Sequence, residues 1–383
     1  MTVHFKQDKP DESNRLDDMK QGVIGKALPR LEGLAKVTGT ATYAAEYPID
    51  NCAEGVLVTS TITRGEVTSI DREAALAMPG VIAVIDDPRL TTRAAQGTAD
   101  EAPQQQPKTV CYWGQPIALV VAETFEQARD AAKHLAVEYR EEEGAPLDPD
   151  AVEPEEQEDE TVHQGNLAHA MSEAAHSVDV TYTTRGHASA AMEPHAAIAQ
   201  WDGDKLTVYA SLQMLNYNIS ELADALDMEE DDIRLVSRFV GGGFGSKLGI
   251  SEEAVAASIA AKELGRPVRV VMSRQQVFQC IMRRSETTQR LRLAADADGR
   301  LTGFGHEALV SNLPGETFAE PVLQSSHFLY GAGNRELMLN VARIHLMTAG
   351  SVRAPGEAVG MPALEGAMDV LAEEVGIDPV ELR

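Results

Sequence analysis

The stretch Val240-Gly241-Gly242-Gly243-Phe244-Gly245-Ser246-Lys247 constrains the fold more than any other part of this chain. Its clustered glycines let a backbone take positive φ and approach another group closely. Ile233 to Phe239 before it alternates apolar and polar residues, the pattern of a half-buried strand. Glu252 to Leu264 after it is Ala-rich and opens on two acids, the pattern of a helix start. Strand, glycine cluster and helix N-terminus together suit an anion cradle, and equally a tight turn between strand and helix. Two common phosphate loops fail on the letters. Ser246 precedes Lys247 and Leu248 follows it, against the Walker pattern, and Ser246 stands where the dinucleotide fingerprint needs its third glycine.

Composition narrows the field further. At 383 residues the chain is long enough for two or three domains. A net charge of −27 argues against nucleic acid and anionic membranes as partners, since both require basic surfaces. Cys52, Cys111 and Cys280 form no C-x-x-C pair, so neither a disulfide scaffold nor a cysteine-ligated iron–sulfur cluster is encoded, which fits a reducing compartment. The N-terminus is polar and no apolar run reaches membrane length, so no signal peptide or membrane span is expected.

In chain order, residues 1–21 are expected as a disordered tail and 22–140 as a compact α/β domain. Within that domain the letters predict a strand over Val56 to Thr63, a helix from Asp71, and a strand over Val81 to Ile85. A polar loop follows from Thr91 to Lys108, then a buried strand over Pro116 to Ala122, a helix over Thr124 to Leu135 and a strand from Ala136. Residues 141–162 are dense in Glu and Asp with interspersed prolines, which predicts an extended, solvated linker. A second domain over 163–383 is expected to hold a strand from His176 and hairpins turning at Asp202-Gly203 and Asp296 to Gly299. A helix over Asn218 to Leu226 and one over Pro362 to Val375 complete it.

Few residues offer chemistry on their own. Glu193-Pro194-His195 with His187 lacks the spacing of a helical metal site, so a structural role at a strand entry is expected. Glu252 and Glu253 read as partners of a helix dipole. Arg353 lies in the proline- and glycine-stiffened Ser351-Val352-Arg353-Ala354-Pro355-Gly356, a setting that is usually structural but also grips anions.

Taken together, VGGGFGSK, RAPGEAVG and the closing LAEEVGIDPVELR resemble the molybdopterin-binding large subunit of the xanthine dehydrogenase/aldehyde oxidase family. IGKALPRLEGLAKVTGTATYAAEYP resembles that family's start. MPGVIAVI and GQPIALVVAETFEQARDAAKHLAVEY resemble its a/b hammerhead domain, and ASAAMEPHAAIAQW with the SLQ ending at Gln213 its first molybdopterin-binding region. The resemblance runs over about residues 22–383 and implies a mixed α/β, or α+β, fold: a hammerhead domain followed by the first part of a molybdopterin-binding domain.

The resemblance also implies a chemistry. A pterin-bound molybdenum, expected in the cytosine dinucleotide form, hydroxylates an electron-poor carbon with oxygen from water, and electrons leave through partner subunits carrying 2Fe-2S clusters and FAD. Gln213 would hydrogen-bond an oxygen on the metal. Phe244, with Gly242, Gly243 and Gly245, would line the centre without a direct protein ligand, and Arg353 would face the substrate's developing negative charge. Leu248 stands where purine-oxidising members carry a glutamate, which implies aldehydes over purines; a small heterocycle, or a purine as in a xanthine-type dehydrogenase, is the alternative substrate. The family continues past DPVELR into a region whose Gly-x-Gly-Glu glutamate is the general base. The expectation is therefore an incomplete large subunit, working with a separate C-terminal half or reduced to an inactive assembly fragment. Its expected location is the cytoplasm, or the periplasm by export with a partner.

Overall fold

The computed structural model describes residue 22 and residues 26–90 and 108–383. The tail expected over 1–21, and all but the last residue of the loop expected from Thr91 to Lys108, lie outside the described residues. The chain divides into two units, Met1–Thr42 and Tyr43–Arg383. In the first, a short helix spans Gly33–Val37, and the Thr38 hydroxyl donates to the Leu34 carbonyl at 2.8 Å.

Among the described residues the second unit holds three sheets. The largest has seven strands in the order Ile233–Val236, Lys205–Ala210, Ala196–Asp202, Val268–Val271, Ala53–Thr59, Pro116–Ala122 and Val81–Ile85. It draws strands from both sides of the expected 140/163 boundary, joined where Ala53–Thr59 runs parallel to Val268–Val271. All seven residues of Pro116–Ala122 are buried, which explains the uninterrupted apolar run. Leu119 and Val121 pack with the helix Glu252–Leu264, while Ala118 and Val120 face the cluster that includes Ala131 of the helix Phe125–His134. Full burial of a Leu or Val side chain contributes about 1.5–3 kcal/mol. The Phe125–His134 helix starts on a capping box in which Thr124 and Gln127 each bond the other's backbone. A three-stranded sheet joins Thr109–Val110, Gly65–Ile70 and Val137–Glu141.

The six-stranded sheet is built on His176–Thr184, Thr287–Ala295, Leu301–Asn312 and Asn334–Arg343, with the helix Glu357–Val375 packed over the first two. Its remaining strands, Glu155–Glu156 and Val162–Gln164, both pair with Asn334–Arg343. The acidic segment is thus not a free linker. It straps the sheet edge because backbone pairing there needs no apolar side chains, and Arg343 Nε bonds Glu155 at 2.8 Å.

Two further expectations change. The helix expected over Asn218–Leu226 begins at Leu215, with Met214 as an N-cap that makes no side-chain bond. Asn218 lies inside that helix and spends its amide on the Leu248 carbonyl at 2.6 Å. The last long helix begins at Glu357 rather than Pro362: Gly356 at φ +78° turns the chain into it, and Pro362 lies inside the helix, where it forgoes one backbone hydrogen bond. Among the described residues no helix is long and apolar enough to cross a membrane.

Candidate functional site

The strand before the glycine cluster stops at Val236, and the following helix starts only at Glu252. The glycines are therefore not set against a helix N-terminus, and the helix-start cradle does not form. The loop instead folds on itself, with the Ser246 hydroxyl and amide both donating to the Gly243 carbonyl, at 2.8 and 3.0 Å. Gly242 and Gly245 both have φ +101°, and Phe244 between them has φ +55°, a left-handed backbone that strains a bulky residue. A Cβ on Gly243 would sit 2.1 Å from Gln213 Oε1, and one on Gly245 2.1 Å from the Ser351 carbonyl. The glycines thus permit close approach of two other segments of this chain.

Behind the loop lies a buried ion pair. Lys247 is fully buried, and its Nζ donates to Glu193 Oε2 at 3.0 Å, the Glu193 carbonyl at 3.1 Å and Ser211 Oγ at 2.9 Å. The same Glu193 oxygen accepts the Gly241 amide and the Ser211 hydroxyl, each at 2.6 Å. Burial lowers the Lys247 pKa, and the Glu193 carboxylate opposes that shift. His195 Nε2 lies 2.9 Å from the Ser246 carbonyl, so that nitrogen carries the proton. Burial holds His195 neutral, with its pKa lowered to about 4. Glu193 and His195 thus brace the loop rather than bind a metal. His187 pairs with Arg284 through backbone bonds only. No group of three or more His, Cys, Asp or Glu among the described residues is placed to hold a metal ion.

The two acids at the helix start are buried rather than solvated. Burial raises Glu253 to about 7, outweighing its bond from Ser251 and its place at a helix N-terminus. Desolvation, absent from a reading of helix-dipole partners, decides its state.

Gln213 and Arg353 reach the loop from separate segments. The Gln213 amide N–H donates to the Lys247 carbonyl at 2.8 Å, and its side-chain Oε1 accepts the Gly245 N–H at 3.1 Å. Because an N–H must meet the oxygen end of the carboxamide, the Gln213 NH₂ is the end left free to donate elsewhere. The Arg353 N–H donates to the Phe244 carbonyl at 2.8 Å. Its guanidinium is exposed and has no partner among the described residues. The Phe244 ring is also exposed. Four of the expected residues, Gln213, Phe244, Gly245 and Arg353, are therefore tied together directly, with Gly242 and Gly243 as the steric room around them.

What holds the Arg353 loop was missed in the sequence. Arg284, buried, sends its guanidinium to the carbonyls of Val352 at 2.7 Å, Arg353 and Ala354, and to the carboxylate of the fully buried Glu320. Glu320 in turn accepts the Gly356 amide at 2.7 Å. Burial raises the Glu320 pKa, while the Gly356 N–H and Arg284 pull it back. The only sequence signal was an arginine pair, Arg283-Arg284, directly after the apolar Ile281-Met282. Such a pair reads more readily as surface. The assembled face offers an outward amide donor, an aromatic ring and an unpaired cation. That set can hold an oxygen-rich anionic group and stabilise negative charge beside it.

Comparison with known proteins shows which family the chain resembles. Residues 150–383 match the molybdopterin cofactor-binding domain, and residues 38–143 match the a/b hammerhead domain of aldehyde oxidase and xanthine dehydrogenase. The aldehyde oxidoreductase molybdenum-binding subunit PaoC of Escherichia coli strain K12 is 41% identical over 388 residues, covering 99% of this chain and 52% of that subunit. The chain thus spans about half the length of that relative. The nicotinate dehydrogenase large molybdopterin subunit of Eubacterium barkeri is 27% identical over 376 residues, covering 94% of this chain and 88% of that subunit. Among solved structures, the aldehyde oxidoreductase of Desulfovibrio gigas superposes with a TM-score of 0.81 at 26% identity, over 92% of this chain and 42% of that one.

Proposed function

From the premise that this chain belongs to the molybdopterin cofactor-binding domain family of aldehyde oxidase and xanthine dehydrogenase, we propose that it forms one wall of the molybdenum site of an aldehyde-oxidising hydroxylase. The observation that carries this reading is the Gln213 carboxamide, pinned by the Gly245 N–H at 3.1 Å so that its NH₂ is left free. The residues present fit the cofactor: an oriented donor for an oxygen on the metal, an aromatic neighbour in Phe244, and a cation in Arg353. When bound, the molybdenum–pterin group, in the reading above its cytosine dinucleotide form, supplies the two-electron oxidation and activates the water-derived oxygen.

The chain's own part is binding and charge stabilisation. Gln213 donates to the group, Phe244 shapes the substrate's approach, and Arg353 offsets negative charge that develops on a carbonyl oxygen. Leu248, half-buried beside Lys247, gives a purine no carboxylate to bond, which supports aldehydes as the substrate class. The higher identity to an aldehyde oxidoreductase subunit than to the xanthine dehydrogenase subunit of Escherichia coli O157:H7, 41% against 28%, supports the same choice. No glutamate here stands in a Gly-x-Gly-Glu motif, so the reading assigns the general base to a segment outside these residues. It likewise assigns electron transfer to separate 2Fe-2S and FAD subunits, in the cytoplasm or co-exported to the periplasm.

Co-expression with those subunits and with the segment that carries the general base, in a cell that makes the cofactor, tests the reading. Molybdenum and pterin should co-purify, benzaldehyde should be oxidised faster than xanthine, and Arg353→Met should lower kcat/KM by about 10²–10³-fold. Metal-free complex would overturn cofactor binding by this wall, and faster xanthine oxidation would overturn the substrate class.

A further inference from the structure

A second concavity lies away from the glycine loop, where Ala53–Thr59 and Val268–Val271 stop pairing. Their parallel register ends at Gly55 and Val270, and beyond it the two strands part. The gap is a cleft of about 480 Å³, within the size range of small-molecule sites. Its position past the carboxyl ends of two parallel strands is also where open sheets place ligands.

The lining is what distinguishes it. In a chain with 60 acidic and 33 basic residues, no Asp or Glu among the described residues lines this cleft. Arg129 and Lys133 do, one helical turn apart on the Phe125–His134 helix. Neither has a carboxylate partner among the described residues, although like charges at this spacing repel. Arg129 lies over the Phe125 ring, 5.4 Å from its centroid. Trp113 also lines the cleft and is 51% exposed, a large ring open to a ligand. Gln276 and Gln279 close the far wall, and Gln276 Nε2 donates to the Leu57 carbonyl at 2.8 Å.

We propose that this cleft is a binding site for a small planar aromatic carboxylate. The ligand's ring would stack on Trp113 and its carboxylate would meet Arg129 and Lys133. An acidic peptide is the less suitable occupant, because the carbonyl of Leu57, the mid-strand acceptor on this side, is already taken by Gln276. The proposal is independent of the molybdenum reading, since it uses none of the residues around Gly241 to Lys247.

The test uses the full chain and 4-nitrobenzoate, a planar anion that quenches indole fluorescence. The chain has two tryptophans, so Trp201→Phe leaves Trp113 as the reporter. Saturable quenching is expected, at least tenfold tighter than with the neutral isostere 4-nitrobenzamide. Arg129→Glu combined with Lys133→Glu should weaken it at least tenfold while leaving circular dichroism and Tm unchanged, both side chains being exposed. Equal affinity for the neutral amide, non-saturable quenching, or full binding by the charge-reversed variant would overturn the proposal. Binding of a poly-glutamate peptide without binding of 4-nitrobenzoate would also overturn it.

Discussion

The glycine loop and the Arg353 loop meet at one place, yet they are held there in different ways. The glycine loop is braced by Lys247, a residue of the loop's own motif, whose point charge bonds Glu193 and Ser211. The Arg353 loop is braced by Arg284, far away in sequence, whose flat guanidinium spans three successive carbonyls and Glu320. A lysine suffices where the partners surround one point. An arginine is needed where the acceptors are spread along a strand of backbone. The comparison shows that a loop exposing a useful side chain can be fixed entirely through its main chain, leaving that side chain free.

The largest expected effect comes from breaking the arginine brace. Arg284→Met leaves Glu320, whose side chain is 0% exposed, without its partner, and should cost about 3–5 kcal/mol in denaturant unfolding. Lys247→Met should cost less, near the low end of that range, because the Glu193 side chain is 11% exposed and can recruit water. Hydrogen exchange separates the two: the first variant should lose protection at Arg353 and Gly356, the second at Gly241. Equal losses at both loops in either variant would show that they are one unit rather than two.

An intermediate effect sharpens the contact between the loops. Gly245→Ala places a Cβ against the Ser351 carbonyl at a φ of +101°, and should cost about 1–3 kcal/mol because backbone must move. Gly243→Ala meets Oε1, Cδ and Cγ of the exposed Gln213 side chain rather than backbone, so its stability cost should be no more than about 1 kcal/mol. On the cofactor reading it should nonetheless lower molybdenum retention by displacing that amide. Loss of stability in Gly243→Ala as large as in Gly245→Ala would reverse this ranking.

A pH dependence is a further check on what lies beneath the glycine loop. His195, beneath the glycine loop, and His306, in the core of the six-stranded sheet, are both buried with pKa lowered from 6.5 to about 4. The unfolded chain takes up these protons from about pH 6.5 downward, while the folded chain resists until about pH 4. Each histidine therefore contributes stability that is present above pH 6.5 and lost between 6.5 and 4, by at most about 1.4 kcal/mol per pH unit. His195→Gln should flatten the urea midpoint over that window and keep the bond to the Ser246 carbonyl. An unchanged slope would mean that His195 is charged when folded.

How much of this was legible follows from where each constraint resides. The buried strand Pro116–Ala122, the capped helix after it and the hairpin at Asp202-Gly203 are local patterns, and they were readable because neighbours in sequence carry the whole signal. VGGGFGSK, Gln213 and Arg353 were readable through resemblance. The role of the glycines was not: their side-chain-free faces are matched to Gln213 and Ser351, which only folding brings within reach. The acidic segment misled because its composition describes its side chains, whereas its strap is made by backbone pairing.

The sequence by itself determined the family, the mixed α/β alternation and which exposed side chains are proposed for the site, because those depend on short-range order and chemical type. Tertiary structure decided that Lys247 is a buried brace rather than a phosphate ligand, and that Glu253 sits near pH 7. It also decided that Arg284 and Glu320 hold Arg353 in place. Each of these rests on burial and on partners distant in the chain, and desolvation and long-range hydrogen bonding exist only once the chain has closed around them.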